Sequence, residues 1–231
     1  MKRNRKPWCA VPVDPLIALL PSLKWRAGNG APVSSNAAAL ILYVTLIFVA
    51  DAPDSADPAN VMHRATVSYR ELSILTGLSR ALIAAGLKQL VELELIAVEG
   101  SQQDRVYLIQ GKAGRWFKLP CMALFVDGRI TPFRQLTRRA KVDLHALKLY
   151  LYFASVRDKQ RMYSMASHEV IHTKTGIPEA DIRRAHSLLT SVGLLAGIGR
   201  EHKGVVEKTN EPNKYYLRGY EAFAVGTAKA A

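Results

Sequence analysis

Apolar positions along this chain change period several times, and each change marks an element. The run from Ala37 to Ala50 is apolar almost throughout and stops at Asp51. It predicts a buried core helix over Asn36 to Val49, with Ser34 or Ser35 as its N-cap. A Pro- and Asp-rich loop, Asp51 to Pro58, ends it. A second helix is predicted from Tyr69 to Leu75. Thr76-Gly77-Leu78-Ser79 then turns the chain into a third, Arg80 to Leu93, whose Ile83, Leu87 and Leu90 share one face. Leu95 to Val98 and Arg105 to Ile109 read as two strands around a polar turn. The second half follows the same succession. Asp143 caps a helix reaching Val156, a short helix spans Ser167 to Lys174, and Ile177-Pro178 makes a turn. A helix from Glu179 to Ser191 is buried through Ile182, Ala185 and Leu189, and strands near Leu194 to Ala196 and Lys214 to Leu217 flank a long loop, Gly199 to Asn213.

That parallel is also an internal repeat. Trp8-Cys-Ala-Val-Pro12 matches Trp116-Phe-Lys-Leu-Pro120, and Ala39 to Tyr43 matches Ala146 to Tyr150. Thr76-Gly77-Leu78 matches Thr175-Gly176-Ile177, and Leu90-x-x-Leu93-x-Leu95-Ile96 matches Leu189-x-x-Val192-x-Leu194-Leu195. Tyr107-Leu108 matches Tyr216-Leu217. The order is kept at separations of 99 to 109 residues, which predicts two similar domains, 8–112 and 113–223, meeting near Gly111 to Gly114, with a basic arm at 1–7 and a tail at 224–231. The fold class expected is mainly α with short β-hairpins.

Composition narrows the partner. Lys and Arg number 32 against 19 Asp and Glu, a formal charge of +13 that attracts a polyanion. Nucleic acid or an acidic membrane surface is the partner such a charge points to, unless it serves solubility alone. The apolar run of 14 residues falls short of the roughly 20 that a spanning helix needs, so no membrane-spanning helix is expected. Asp14, Pro15 and Pro21 interrupt what would have to be the apolar core of a signal peptide behind Met1 to Lys6. Cys9 and Cys121 form neither a C-x-x-C pair nor a disulfide-type spacing, and the chain reads as cytoplasmic and reduced.

The two segments running from Thr-Gly-Leu/Ile through the following Leu-rich stretch resemble the winged-helix family of DNA-binding domains, where they are the turn, the recognition helix and the approach to the wing. The resemblance implies two tandem winged helices. Two such domains in a basic chain of this length are similar in architecture to replication initiators of plasmids and mobile elements. Transcriptional regulators share the build, and some tandem winged helices serve protein contacts only. The resemblance implies duplex DNA as partner, no enzymatic activity, no cofactor, and contact with replication or transcription machinery.

A recognition helix lies in a major groove and reads base edges with its outer face. In the second half that face is expected to hold Arg184 and Ser187, with Glu179, Asp181 and Arg183 near the helix start. The matching face of the first half, Arg80, Ala81, Ala84, Ala85 and Lys88, offers little to read with. The second domain is therefore expected to read sequence, and the first to touch backbone through Arg80 and Lys88 or to pair with another protomer as a homodimer. Further phosphate contacts are expected from the arm (Lys2, Arg3, Arg5, Lys6) and the segment entering the second domain (Arg134, Arg138, Arg139, Lys141). The second wing adds Arg200, His202, Lys203, Lys208 and Lys214.

One enzymatic motif competes. His168-Glu169-Val170-Ile171-His172 matches H-E-x-x-H, which places two imidazoles on one helix face for zinc, with His186 or Glu201 as a third ligand. It falls in a short helix whose repeat partner, Ser68 to Ser73, has no such pair of ligands, so a structural role is expected. No phosphate loop, nucleophile elbow or dinucleotide fingerprint occurs. Trp8 and Trp116, each four residues before a proline, are expected to pack at the start of each domain.

Overall fold

The structure is a computed structural model describing residues 7–26, 33–51, 61–100, 105–111, 115–157, 161–199 and 212–222. The first half runs β1 (Trp8–Pro12), α1 (Leu16–Leu19), a 3-10 turn (Leu20–Ser22), α2 (Ser35–Val49), β2 (Val61–Thr66), α3 (Tyr69–Thr76), α4 (Arg80–Glu92), β3 (Ile96–Glu99) and β4 (Val106–Gln110). The second runs β5 (Trp116–Pro120), a 3-10 turn (Met122–Leu124), β6 (Phe125–Val126), β7 (Arg129–Ile130), α5 (Thr131–Gln135), α6 (Lys141–Ser155), β8 (Ser164–Ala166), α7 (His168–Thr175), α8 (Glu179–Ser191), β9 (Leu195–Gly199) and β10 (Asn213–Leu217). The fold is mixed α and β. Among the described residues no single helix is long and apolar enough to cross a membrane.

Each half holds a three-stranded antiparallel sheet rather than the expected hairpin, with orders β2-β4-β3 and β8-β10-β9. The added strands precede the short helices and carry too little alternation to announce themselves. α2 has no polar face because it is enclosed by α3, α4, α6 and the sheet. Its closest neighbour is α4, where Gly86 makes room: a Cβ there would stand 2.7 Å from Leu42 Cδ1 and 3.0 Å from the backbone at Ala38 and Ala39.

Ser34, one of the two serines expected there, takes the N-cap of α2, but in a left-handed conformation with no side-chain cap bond; Asn36 instead ties the helix to the preceding connection by donating to the Lys24 carbonyl at 2.7 Å. Asp143 stands inside the first turn of α6, not at its N-cap. From there it accepts from the Ala140 N–H at 3.3 Å and from Thr137 Oγ1 at 3.0 Å.

The halves meet on a local twofold. β1 pairs antiparallel with β5, Trp8 opposite Pro120, Ala10 opposite Lys118 and Pro12 opposite Trp116. Since these strands are repeat partners, Ala10 and Lys118 lie at the centre of symmetry. Trp8 and Trp116 therefore stack on each other, centroids 5.6 Å apart and planes 3° apart, instead of packing separately at the start of each half. Beyond the strands the halves exchange segments: α1 and its 3-10 turn pack on α7, while β7 and α5 pack on α3. The turn glycines record the exchange. A Cβ at Gly176 would meet the Pro21 backbone at 2.8 Å, and one at Gly77 would meet Arg134 at 3.4 Å. One contiguous core runs through both halves.

Two expectations are overturned. Cys9 and Cys121 are not free thiols: they form a disulfide with Cα atoms 6.3 Å apart, because the β1–β5 ladder brings together positions 112 residues distant in sequence. The match of Tyr107 with Tyr216 is one residue out of register. Tyr107 pairs with Ala65 of β2 on the buried face of its sheet, and the residue in that place in the second half is Tyr215, which pairs with Ser164 of β8 and is likewise buried. Tyr216 corresponds to Leu108 and lies on the opposite face.

Candidate nucleic-acid interface

In both halves two helices are held at a fixed angle by one piece of side-chain chemistry. Thr76 Oγ1 donates to the Leu72 carbonyl at 2.6 Å and accepts from the Leu78 N–H at 3.1 Å. Thr175 repeats both bonds, with Ile171 at 2.6 Å and Ile177 at 3.3 Å. The following glycine takes φ of 72° at Gly77 and 66° at Gly176, a left-handed C-cap that a side chain would strain. α3 and α4 meet at 102° across this turn. The carbonyl ends of the short helices then receive a cation each. Arg134 donates to the Ile74 carbonyl at 3.0 Å, and the buried Lys148 donates to the Thr175 carbonyl at 2.9 Å. Burial, with Lys24 nearby, lowers the Lys148 ammonium to about 8.

α8 is buried through Ile182, Ala185, His186 and Leu189. Arg183, Arg184, Ser187 and Glu179 are exposed, as the helical spacing predicts. Ser187 Oγ donates back to the Arg183 carbonyl at 3.1 Å. Asp181 departs from the group. Its carboxylate turns toward α6, where Lys141 Nζ stands 2.7 Å away and His145 Nδ1 3.7 Å, and the Lys141 hydrogen bond holds it below the usual carboxylate range. The same bridge engages Lys141 itself. In α4, Arg80, Ala81, Ala84 and Lys88 are exposed and Ala85 is half-buried, with Lys88 3.7 Å from Glu92.

The chain matches no protein-family model, no curated protein and no solved structure.

The basic clusters fare unequally. Of the segment entering the second half, Arg134 caps α3, Arg138 is half-buried and reaches the Phe133 carbonyl at 3.4 Å, and Arg139 is exposed. Lys214 lies in β10 with its ammonium 4.9 Å from the Tyr163 ring centroid. Lys2, Arg3, Arg5, Lys6, Arg200, His202, Lys203 and Lys208 lie outside the described residues. In the H-E-x-x-H segment, His172 Nδ1 is 2.8 Å from the Ile177 carbonyl across the turn, and the His168 ring lies 6.0 Å from that of His186. Glu201 lies outside the described residues, among which no group of three His, Cys, Asp or Glu side chains is placed to hold a metal ion.

Sequence reading missed one polar surface, the outer face of the β8-β10-β9 sheet. Its signal was the alternation of Lys214 and Tyr216 with buried Tyr215 and Leu217.

Proposed function

We propose that this chain binds duplex DNA sequence-specifically through two tandem winged-helix units, with α8 placed in a major groove. The reading rests above all on the outer face of α8, where Arg183, Arg184 and Ser187 stand exposed on a helix fixed by the Thr175–Gly176 turn. The strand orders of the two sheets and the charge of +13 support it. The two helices are unequal. α8 carries guanidinium groups suited to guanine, while α4 presents alanines and serves backbone approach or pairing of protomers. Asp181 is withdrawn from the set of base-reading residues by its bridge to Lys141. Replication initiation is the proposed role, exercised as a binding protein and not as an enzyme.

Selection of bound duplexes from a random pool tests the reading, followed by affinities on single-base variants of the selected site. Arg184→Ala is expected to cost about 1–3 kcal/mol and to relax preference at particular base pairs. Affinity should fall with salt by about 0.9 log units per log unit of salt for each phosphate neutralised. Failure to enrich any sequence, or an affinity indifferent to salt, removes the proposal. Enriched sites arranged as direct repeats at an origin support initiation. A palindrome at a promoter assigns the chain to transcriptional regulation.

A further inference from the structure

The three strands β8, β9 and β10 have two faces of different chemistry. The inner one is packed around Tyr215, which stacks on Phe153 at 4.0 Å between centroids and meets the His186 ring at 4.9 Å. The outer one holds Met165, Lys214 and Tyr216, joined by Tyr163 just ahead of β8. Tyr163 and Tyr216 meet at 5.5 Å with planes 56° apart. Two cations are ordered on the Tyr163 ring, Lys214 Nζ at 4.9 Å and Arg161 Cζ at 5.7 Å from its centroid. On the neighbouring strand β9, Gly197 and Gly199 leave this face flat. A Cβ at Gly197 would meet nothing within 4 Å, and one at Gly199 would stand 3.2 Å from the Tyr216 ring, so the absent side chain lets that ring lie along the strand. None of the three strands contains an acidic residue.

The first half shows what this face is when it has no ligand chemistry. At the position of Tyr216 stands Leu108, 6% exposed. Packing demands of the fold are thus met by an aliphatic side chain, and they do not account for the tyrosine pair in the second half.

We infer that the outer face of the β8-β10-β9 sheet binds single-stranded DNA, an unpaired base stacking on Tyr216 while Lys214 and Arg161 meet the flanking phosphates. Stacking on an aromatic ring beside cations that follow the backbone is the general mode of single-strand recognition, and it tolerates any base because every base has a π-face. The face is separate from the outer side of α8, since His186 of that helix packs beneath the sheet against Tyr215. The inference rests on the reading of the chain as a DNA-binding protein, but it concerns a second surface and unpaired nucleotides.

The test uses the full chain and a labelled 20-nucleotide oligo-dT, followed by fluorescence anisotropy. Tyr216→Leu keeps apolar bulk and removes the π-face, and should weaken binding about tenfold. Tyr216→Trp should retain binding, and its added fluorescence should be quenched when oligo-dT binds. That signal also answers for folding if the leucine variant is unstable. Lys214→Gln with Arg161→Gln should flatten the salt dependence by about 0.7 log units for each phosphate left without its cation. The Tyr216 variants should leave affinity for the selected duplex unchanged, whereas Arg184→Ala should do the reverse. Oligo-dT binding that depends on Tyr216 in a protein that selects no duplex would sink the major-groove reading and leave this one standing. No binding of oligo-dT, or binding that Tyr216→Leu does not alter, overturns the inference. Tighter binding of oligo-rU than of oligo-dT overturns its assignment to DNA.

Discussion

Thr76 and Thr175 each use one hydroxyl for two bonds, and the accepting bond matters more. The donated bond reaches a carbonyl already engaged in its helix, but the N–H groups of Leu78 and Ile177 are buried and find their acceptor in the threonine. Thr76→Val and Thr175→Val keep the shape and orphan that N–H, so each should cost about 1–3 kcal/mol in chemical denaturation, with similar losses in the two halves. A second residue-scale consequence concerns acid. Burial lowers the imidazoles of His145 and His186 to about 4, with Lys148 and Lys141 adding to the first and His168 to the second. Both groups are depressed in the folded state, so the unfolded chain takes up their protons near the ordinary value of 6.5 and the folded chain does not. The stability they contribute is complete above pH 6.5 and is lost as pH falls toward 4, at up to ~2.7 kcal/mol per pH unit for the two together. Melting temperatures between pH 7 and pH 4.5 check this. His186→Phe, which suits a site walled by Phe153 and Tyr215, should remove about half of the acid sensitivity.

At the scale of elements, the crossing of α2 and α4 depends on the missing side chain of Gly86. Gly86→Val would gain helix propensity, but its branched side chain meets α2 where a single Cβ already stands 3.0 Å from backbone atoms, so overpacking of about 1–3 kcal/mol prevails. Ala185, the repeat partner in α8, has its Cβ accommodated in the core, and Ala185→Gly should lose about 1 kcal/mol. Opposite responses to added bulk, read from denaturation midpoints, would show that the halves pack their central helices at different distances. The helices were legible in sequence because their apolar spacing is long and regular, α8 to the residue. β2 and β8 were not, since three to six residues with little alternation look like any loop. Asp181 falls at the margin of the α8 face, and only Lys141, 40 residues earlier, decides which way it turns. The Tyr216 face was obscured by a tyrosine pair that matched in letters and not in register, an error of one residue that exchanges the faces of a strand.

At the scale of the molecule, the ladder between β1 and β5 and the segments exchanged beyond it make two repeats into one body. The Cys9–Cys121 disulfide closes a loop of more than a hundred residues across this junction, and reduction, or Cys9→Ser, should lower stability by ~2–4 kcal/mol without altering the fold. The exchanged segments are worth more. Leu16, Leu20 and Leu23 come from the first half and are at most 4% exposed, with α1 and its turn against α7. Ile130, Phe133 and Leu136 come from the second half and are at most 1% exposed, with β7 and α5 against α3. Each such side chain contributes about 1.5–3 kcal/mol when fully buried, so three of them approach the 5–15 kcal/mol that holds a whole domain folded. Separating the halves at the junction strips the cover from α3 and α7 and leaves each fragment with an apolar segment that has no partner. The fragments 7–111 and 115–222, produced singly, should therefore lack cooperative melting and dispersed amide resonances. Mixed in equal amounts, they should recover both. A fragment that folds alone with a sharp transition would show that the exchange decorates two self-sufficient domains and does not build a single one.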